Sequence, residues 1–419
     1  MKFKRTILAS TLMAAMSSGY AATPSNEEIW QLLQEMKQQL EDVKQQNQNL
    51  KTENQSLKQQ VDETQLKAQE ASDTAEALAI ATEEAVKSAA ASESKTSIGG
   101  YGELHYNNLQ NQGTGKDKDE IDFHRFVLFF NHEFNDRLRL FSELELEHSI
   151  SGDGQNGEVE LEQAYIQYDL SAHHRVNAGL FLMPIGLINE THEPNTFYGV
   201  ERNNVEKNII PTTWWEGGVM FSGEVAEGFS YDVAMTSGLN TSLSNNYAVR
   251  NGREKVSEAD ASDFAYTGRL KWTAIPGIEV ATSLQYQEDV TQGQDPEAGS
   301  AVFWEVHTAI QKGPYGLRAL YATWHLDGDG PADVGADKQT GWYVEPSYKL
   351  TDSVGLFTRY SLWDNQAGNS SDSEVRSWDM GVNWWLDPQV VVKFDYQDQD
   401  AEDKDDEFDG FNIGLGYQF

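Results

Sequence analysis

Residues 411–419, Phe-Asn-Ile-Gly-Leu-Gly-Tyr-Gln-Phe, alternate large apolar side chains with small or polar ones up to the last position. Successive side chains of an extended chain point to opposite sides. Phe411, Ile413, Leu415, Tyr417 and Phe419 therefore share one face, and Asn412, Gly414, Gly416 and Gln418 share the other. A greasy face opposite a small, polar one suits a strand with lipid on one side and water on the other.

The same period of two recurs upstream. Leu138, Leu140, Ser142, Leu144 and Leu146 alternate with Arg139, Phe141, Glu143, Glu145 and Glu147. Ile278, Val280, Thr282, Leu284 and Tyr286 alternate with Glu279, Ala281, Ser283, Gln285 and Gln287. Val354, Leu356, Thr358, Tyr360 and Leu362 alternate with Gly355, Phe357, Arg359, Ser361 and Trp363. Each run is about ten residues long, the length that a tilted strand needs to cross a hydrocarbon core. Segments 121–134 and 158–170 are apolar or polar on both sides, and their period leaves the facing open.

The connections alternate in length. Tight turns fall at Asn135-Asp136-Arg137, Ser171-Ala172-His173, Ala226-Glu227-Gly228, Ile275-Pro276-Gly277, Gly313-Pro314, Thr351-Asp352-Ser353 and Asp387-Pro388. Longer polar stretches lie between them, near 110–119, 150–157, 188–213, 240–263, 291–299, 327–337, 364–373 and 401–407. Seven turns and eight loops make sixteen strands, with both chain ends of the sheet on the short-turn side. Barrels of the bacterial outer membrane place short turns in the periplasm and long loops outside. The expectation is an all-β membrane protein: a 16-stranded antiparallel transmembrane β-barrel over residues 96–419. A final strand that ends in phenylalanine also resembles the signal read by the barrel assembly machinery.

Composition agrees. The chain carries 18 Phe, 17 Tyr, 11 Trp and 34 Gly, and no cysteine. Absence of cysteine excludes thiol nucleophiles, thiolate metal sites and iron–sulfur clusters. Beyond the N-terminus no stretch approaches the 18 consecutive apolar residues of a membrane-spanning helix. From Thr96 onward 21 Lys and Arg face 53 Asp and Glu, a net charge of −32. Such a surface repels nucleic acid. It suits cations at the outer mouth, or lipopolysaccharide bridged through divalent ions.

Two segments precede the barrel. Lys2, Lys4 and Arg5 are followed by an apolar run from Ile7 to Met16 and by Gly19-Tyr20-Ala21, which predicts a signal peptide over 1–21. Residues 27–86 lack Gly and Pro and fit an unbroken heptad. Its d positions are Ile29, Met36, Val43, Leu50, Leu57, Thr64, Ala71 and Leu78; its a positions are Leu33, Leu40, Asn47, Asn54, Val61, Ala68 and Ala75. Sustained a/d spacing predicts a coiled coil, and asparagines at a fix register and oligomer state. Residues 22–95 are thus expected to form an N-terminal α-helical coiled coil and linker in the periplasm.

Several phrases resemble the phosphate-selective O/P-type porin family. They are Tyr-Gly-Glu-Leu-His-Tyr (101–106), Ile-Asp-Phe-His-Arg-Phe (121–126), Ser-Glu-Leu-Glu-Leu-Glu-His (142–148), Pro-Ile-Gly-Leu (184–187) and Phe-Tyr-Gly-Val-Glu-Arg (197–202). The resemblance covers about 97–419, and members of the dicarboxylate-porin type with an N-terminal periplasmic coiled coil match the heptads. It implies a homotrimer of the Gram-negative outer membrane. It also implies that the loop holding Glu201 and Arg202 folds inward and narrows the pore. Phosphate-selective members line the lumen with a ladder of arginines and lysines, which is not evident in this sequence.

Polar faces of the strands must line the channel, because a charge facing lipid at mid-bilayer costs roughly 2–4 kcal/mol. Phasing the readable strands places Arg139, Glu143, Glu145, Asp232, Arg269 and Lys271 inside, together with Arg318, Glu345, Arg359, Asp379, Lys393 and Asp395. The long aperiodic segment 188–213 is the third long loop and the expected constriction, with Glu190, His192, Glu193, Glu201 and Arg202 as its polar residues. Glu190, His192 and Glu193 carry the donor types of a divalent-cation site. Three polar neighbours on a loop are ordinarily solvated, however, so neither metal nor cofactor is expected. Gly-rich phosphate loops, His-Glu-x-x-His and Gly-x-Ser-x-Gly are absent, and no catalytic residue is assigned.

The leading expectation is a water-filled channel for passive diffusion of small hydrophilic solutes and ions. The alternatives are an anion-selective pore for phosphate or dicarboxylates, and a structural tether whose barrel is plugged.

Overall fold

The computed structural model describes residues 95–370, 373–402 and 407–419, together with isolated positions between 26 and 69 that are all helical. The chain divides into two compact units, Met1–Ala91 and Ser92–Phe419. The expected signal peptide lies outside the described residues, as does most of the heptad. Leu33 and Leu40, both at a positions, are described; they are helical and exposed.

The second unit is one closed antiparallel barrel. Its strands are β1 (Thr96–Asn111), β2 (Lys118–Asn135), β3 (Leu138–Glu147), β4 (Val159–Asp169), β5 (His174–Leu182), β6 (Trp215–Ala226), β7 (Phe229–Thr236) and β8 (Ala265–Trp272). They continue as β9 (Ile278–Gln287), β10 (Ala301–Lys312), β11 (Tyr315–Leu326), β12 (Lys338–Lys349), β13 (Val354–Asp364), β14 (Val375–Asp387), β15 (Val390–Ala401) and β16 (Phe408–Gln418). Each strand pairs with its sequence neighbours, and β16 returns to β1. Closure satisfies every edge, which a sheet in lipid requires because no water is present to pair a free N–H or C=O. Short turns and long loops alternate around the ring as the sequence reading expects.

Period two decides what faces lipid. On β9, Val280, Leu284 and Tyr286 are exposed while Ala281, Ser283, Gln285 and Gln287 are buried. The outer face elsewhere carries Phe221, Leu270, Trp304, Leu356, Trp378, Trp384 and Phe394. Such a belt is stable only against hydrocarbon.

Besides a shift at the end of β2 (Glu133/Asn135), two β-bulges break the period within the strands whose facing the sequence leaves open. Between the pairs Glu103↔Arg125 and His105↔Asp122, β1 advances two residues and β2 three. Between Glu143↔Gln163 and Leu144↔Leu161, β3 advances one residue and β4 two. Each extra residue reverses the facing of everything beyond it. Arg125 and Glu162 are buried as a result.

At the closing seam Tyr101 pairs with Gln418, and the register runs to Asn111 against Phe408. The Phe419 amide donates to Gly100 O at 2.8 Å, and Gly100 N donates to Phe419 O at 3.0 Å. The Phe419 ring lies on the outside, 53 % exposed, stacked 6.3 Å from Phe126. Phe419→Ser keeps both backbone bonds and removes the aromatic from the seam. The expected outcome is a lower yield of assembled barrel in the outer membrane, with unchanged conductance per channel. Quantitative membrane fractionation with single-channel recording checks it, and a normal yield contradicts it.

Candidate functional site

The third long loop, residues 183–214 (L3), lies within the barrel and crosses its interior. Asn189 closes its base. The Asn189 amide donates to Met183 O and Trp214 O, both at 2.8 Å, and its carbonyl oxygen accepts from Trp214 N at 2.7 Å. Beyond that staple the loop reaches one wall after another. Arg318 donates to Thr196 O at 2.7 Å, Asn383 to Phe197 O at 3.0 Å, and Val200 N to the Asp395 carboxylate at 2.6 Å. Gly414 and Gly416 on β16 make room for it: a Cβ at Gly416 would sit 2.4 Å from Pro194, inside van der Waals contact.

A single helical turn, α1 (Asn204–Asn208), ends the crossing. Asn203 caps it by accepting from Glu206 N at 2.9 Å. Val205, Ile209 and Ile210 join an apolar cluster with Phe181, Phe303, Trp324, Tyr343 and Trp363 inside the barrel. Glu206 is buried there and fully used, accepting from Leu187 N, Ile188 N and the Tyr343 hydroxyl at 2.7–2.9 Å. The fourth long loop, residues 237–264 (L4), packs against this turn. Arg250 donates to Lys207 O at 2.7 Å and Thr212 O at 3.1 Å, and Arg253 bonds Thr213 O. Burial, and then the neighbouring Arg253, push the Arg250 guanidinium down to about 10, which leaves it cationic at neutral pH.

Of the strand residues phased inward from sequence, Glu143, Glu145, Asp232, Arg269, Glu345, Arg359, Asp379, Lys393 and Asp395 are buried. Arg139, Lys271 and Arg318 are half-buried. Three of these six bases meet an acid. Arg139 lies 2.8 Å from Asp169, Arg359 lies 3.1 Å from Glu345 and 3.3 Å from Asp379, and Arg269 joins Asp232 at 2.7 Å and also Glu190. Lys393 instead stands 3.6 Å over the Phe197 ring, its amino group without a hydrogen bond among the described residues.

The loop residues separate. Glu190 pairs with Arg269, and Glu193 uses its backbone carbonyl to hold Thr196 at 2.7 Å. Glu201 accepts from His105 and Asn107, both at 3.1 Å. Arg202 donates to the Thr213 hydroxyl at 2.6 Å, while its Nε and Nη2 have no hydrogen bond among the described residues. His192 turns away from both neighbouring glutamates, into the β3–β4 wall. Glu190 and His192 thus meet different walls, Glu190 at Arg269 and His192 at Glu143 and Glu162.

Sequence reading missed Arg125, Glu103, His105 and Glu162, which lie on or opposite the bulged strands. It also missed Arg250 and Arg253. Three bases within six residues of an acidic loop, Arg250 to Lys255, were their available signal. Of the missed residues, Arg125, Glu162, Arg250 and Arg253 line a cavity of about 350 Å³. Glu145, Glu147, Glu160 and Glu162 of β3, β4 and the loop between them line it, as do Arg202, Lys207, Arg250 and Arg253 of L3 and L4. Charges of both signs thus line one narrow aqueous space, where their local fields act on a solute.

Known proteins share this architecture. A protein of Aquifex aeolicus (strain VF5), itself described only as uncharacterized, is 30 % identical over 342 residues, 74 % of this chain and 77 % of that protein. The anion-selective porin from Comamonas acidovorans superposes with a TM-score of 0.56 at 12 % identity, covering 77 % of this chain and 99 % of that one. The trimer form of OmpT, an outer membrane protein of Vibrio cholerae, superposes with a TM-score of 0.51 at 14 % identity, covering 77 % and 99 %. Residues 98–419 match the family described as phosphate-selective porin O and P, and the chain belongs to that family of outer-membrane porins.

Proposed function

We propose that this porin is a passive channel for small hydrophilic solutes, constricted by L3 and mildly cation-preferring at its mouth. The observation that carries the reading is the pairing of three interior arginines with carboxylates. Arg139, Arg269 and Arg359 each face a carboxylate within 2.7–3.3 Å, so they do not form the unpaired basic ladder that would draw anions through. At the long-loop end, exposed Asp117, Asp119, Glu120, Asp153 and Glu297 raise the local cation concentration.

An anion-selective pore is the second reading. Arg202, Lys207, Arg250 and Arg253 around the cavity favour it, with two guanidinium nitrogens of Arg202 free of hydrogen bonds among the described residues. A reversal-potential measurement in a KCl gradient separates the two. Cation preference is expected at low salt, shrinking near 1 M as the screening length falls to about 3 Å. Anion preference that persists at high salt, and disappears in Arg250→Gln/Arg253→Gln, contradicts the first reading and establishes the second.

Residues 1–21 would be removed on export, and residues 22–95 would form a periplasmic coiled coil. The exposed Leu33 and Leu40 support this, since an a-position leucine is stable only against partner helices. A homotrimer is the assembly proposed for the barrel and its coiled coil. Deleting residues 22–95 behind the signal peptide should leave a conducting barrel with a weaker oligomer on native gels. A correctly inserted truncation without channel activity would contradict this modular arrangement.

A further inference from the structure

His192 is 2 % exposed and faces two buried glutamates. Its Nε2 lies 3.3 Å from Glu143 Oε1 on β3 and 3.3 Å from Glu162 Oε2 on β4. We propose that Glu143, Glu162 and His192 bind a divalent transition-metal ion of the zinc class, which ties L3 to the barrel wall. The proposal rests on the placement of L3 inside a porin barrel, but not on which ion the channel prefers.

Three observations point to a cation. First, the donor atoms are unsatisfied where a ligand would sit. His192 Nε2 and Glu162 Oε2 are buried and make no hydrogen bond among the described residues. The 3.3 Å separations match the edge of a tetrahedron with metal–ligand bonds of about 2.0–2.1 Å, which is about 3.3–3.4 Å. All three ligand atoms lie within 4.8 Å of one another.

Second, the surrounding groups fix the ligands in a metal-binding state. The His192 Nδ1 can only donate to Asn189 O, 3.0 Å away, because a carbonyl oxygen accepts. That bond leaves Nε2 free to offer its lone pair to the site, the arrangement that orients a metal-bound imidazole. Glu143 is held by Gln163 at 2.7 Å and by the Tyr101 hydroxyl at 3.4 Å. The β4 bulge brings Glu162 and Gln163 to the same side, and bulges of this kind re-aim side chains at functional sites.

Third, charge does not balance without an ion. Two carboxylates face one imidazole, and even a protonated ring leaves one negative charge over. Arg125, on the neighbouring strand β2, is bonded to Glu103 and lies 3.9 Å from Glu145. Uncompensated buried charge is costly. A divalent ion with a neutral His192 brings the site to zero. Imidazole among the ligands favours a zinc-like ion over Mg²⁺ or Ca²⁺, which take oxygen donors. Glu162 also lines the 350 Å³ cavity, which supplies a route in and a water for the fourth position.

Full-length protein stripped with a chelator and desalted is titrated with Co²⁺, whose visible absorption reports tetrahedral nitrogen and oxygen ligation, and then with Zn²⁺. One Co²⁺ per chain, displaced by Zn²⁺, is expected, with affinity lowered more than about tenfold in Glu162→Gln and lost in His192→Ala. Gln163→Ala, which touches only the outer shell, should weaken binding about tenfold or more. Glu193→Gln is the control and should bind as the parent does. No saturable binding in the parent overturns the proposal, as does binding undiminished in both Glu162→Gln and His192→Ala. Because Glu162 lies on β4 and its replacement leaves the Asn189 bonds at the base of L3 in place, its variant keeps the test decisive should His192→Ala fail to assemble. Single-channel recording on the same samples separates the readings: a conducting protein without Co²⁺ binding sinks the metal site and leaves the porin standing.

Discussion

The interior of this barrel is organised around one buried amide. Asn189 joins both ends of L3, bonding Met183 O, Trp214 O and Trp214 N at 2.7–2.8 Å. Its own backbone carbonyl orients His192. Each such bond contributes only about 1 kcal/mol net, yet leaving buried partners unmade costs about 1–3 kcal/mol apiece. The consequence is geometric. A 32-residue connection that would otherwise extend into solvent is bent back at its root, and every later contact across the lumen depends on that bend.

Once inside, the loop must satisfy its backbone against a wall built of strands, and the interior-facing side chains do that. Asn383, Asp395, Arg318 and Trp324 bond L3 main-chain atoms directly. Arg139, Arg269 and Arg359 pair instead with carboxylates, because charges withdrawn from water need partners close by. The strongly acidic chain thus has an interior with local balance across the barrel strands and an outer mouth where the excess remains in solvent. Charge without a paired partner stands at the cavity lined by L4 and the β3–β4 wall, at the carboxylates around His192, and at Lys393 over the Phe197 ring.

Most of the barrel was legible because period two and loop length are direct consequences of strand geometry. Leu284 and Ser283 take opposite faces with no help from the rest of the molecule. The two strands that resisted reading carry bulges within the strand, whereas the register shifts on β6 and β14 fall at strand ends. One inserted residue at Glu162 shifts the outward set on β4 from Leu161 to Ile166 and Tyr168, so an average over the strand shows no period at all. Loop interiors were illegible for another reason: the direction of His192 is set by hydrogen bonds at Asn189, and no spacing rule encodes them. The local failures of periodicity coincide with the residues that now look most functional, as expected where a regular element is bent to aim a side chain.

The inward placement of L3 can be locked and read in one experiment. A Cβ at Gly414 would lie 3.5 Å from Val200 Cβ, within the 3.5–4.5 Å range of disulfides, and the chain has no cysteine to compete. Single-channel conductance of Val200→Cys/Gly414→Cys is to be recorded oxidised and then reduced. The account predicts quantitative cross-linking in the folded protein and the same conductance in both states, because the bond fixes the loop where it already sits. Failure of the pair to cross-link, or a conductance that changes when the bond is reduced, would show that L3 does not hold this position in the working channel.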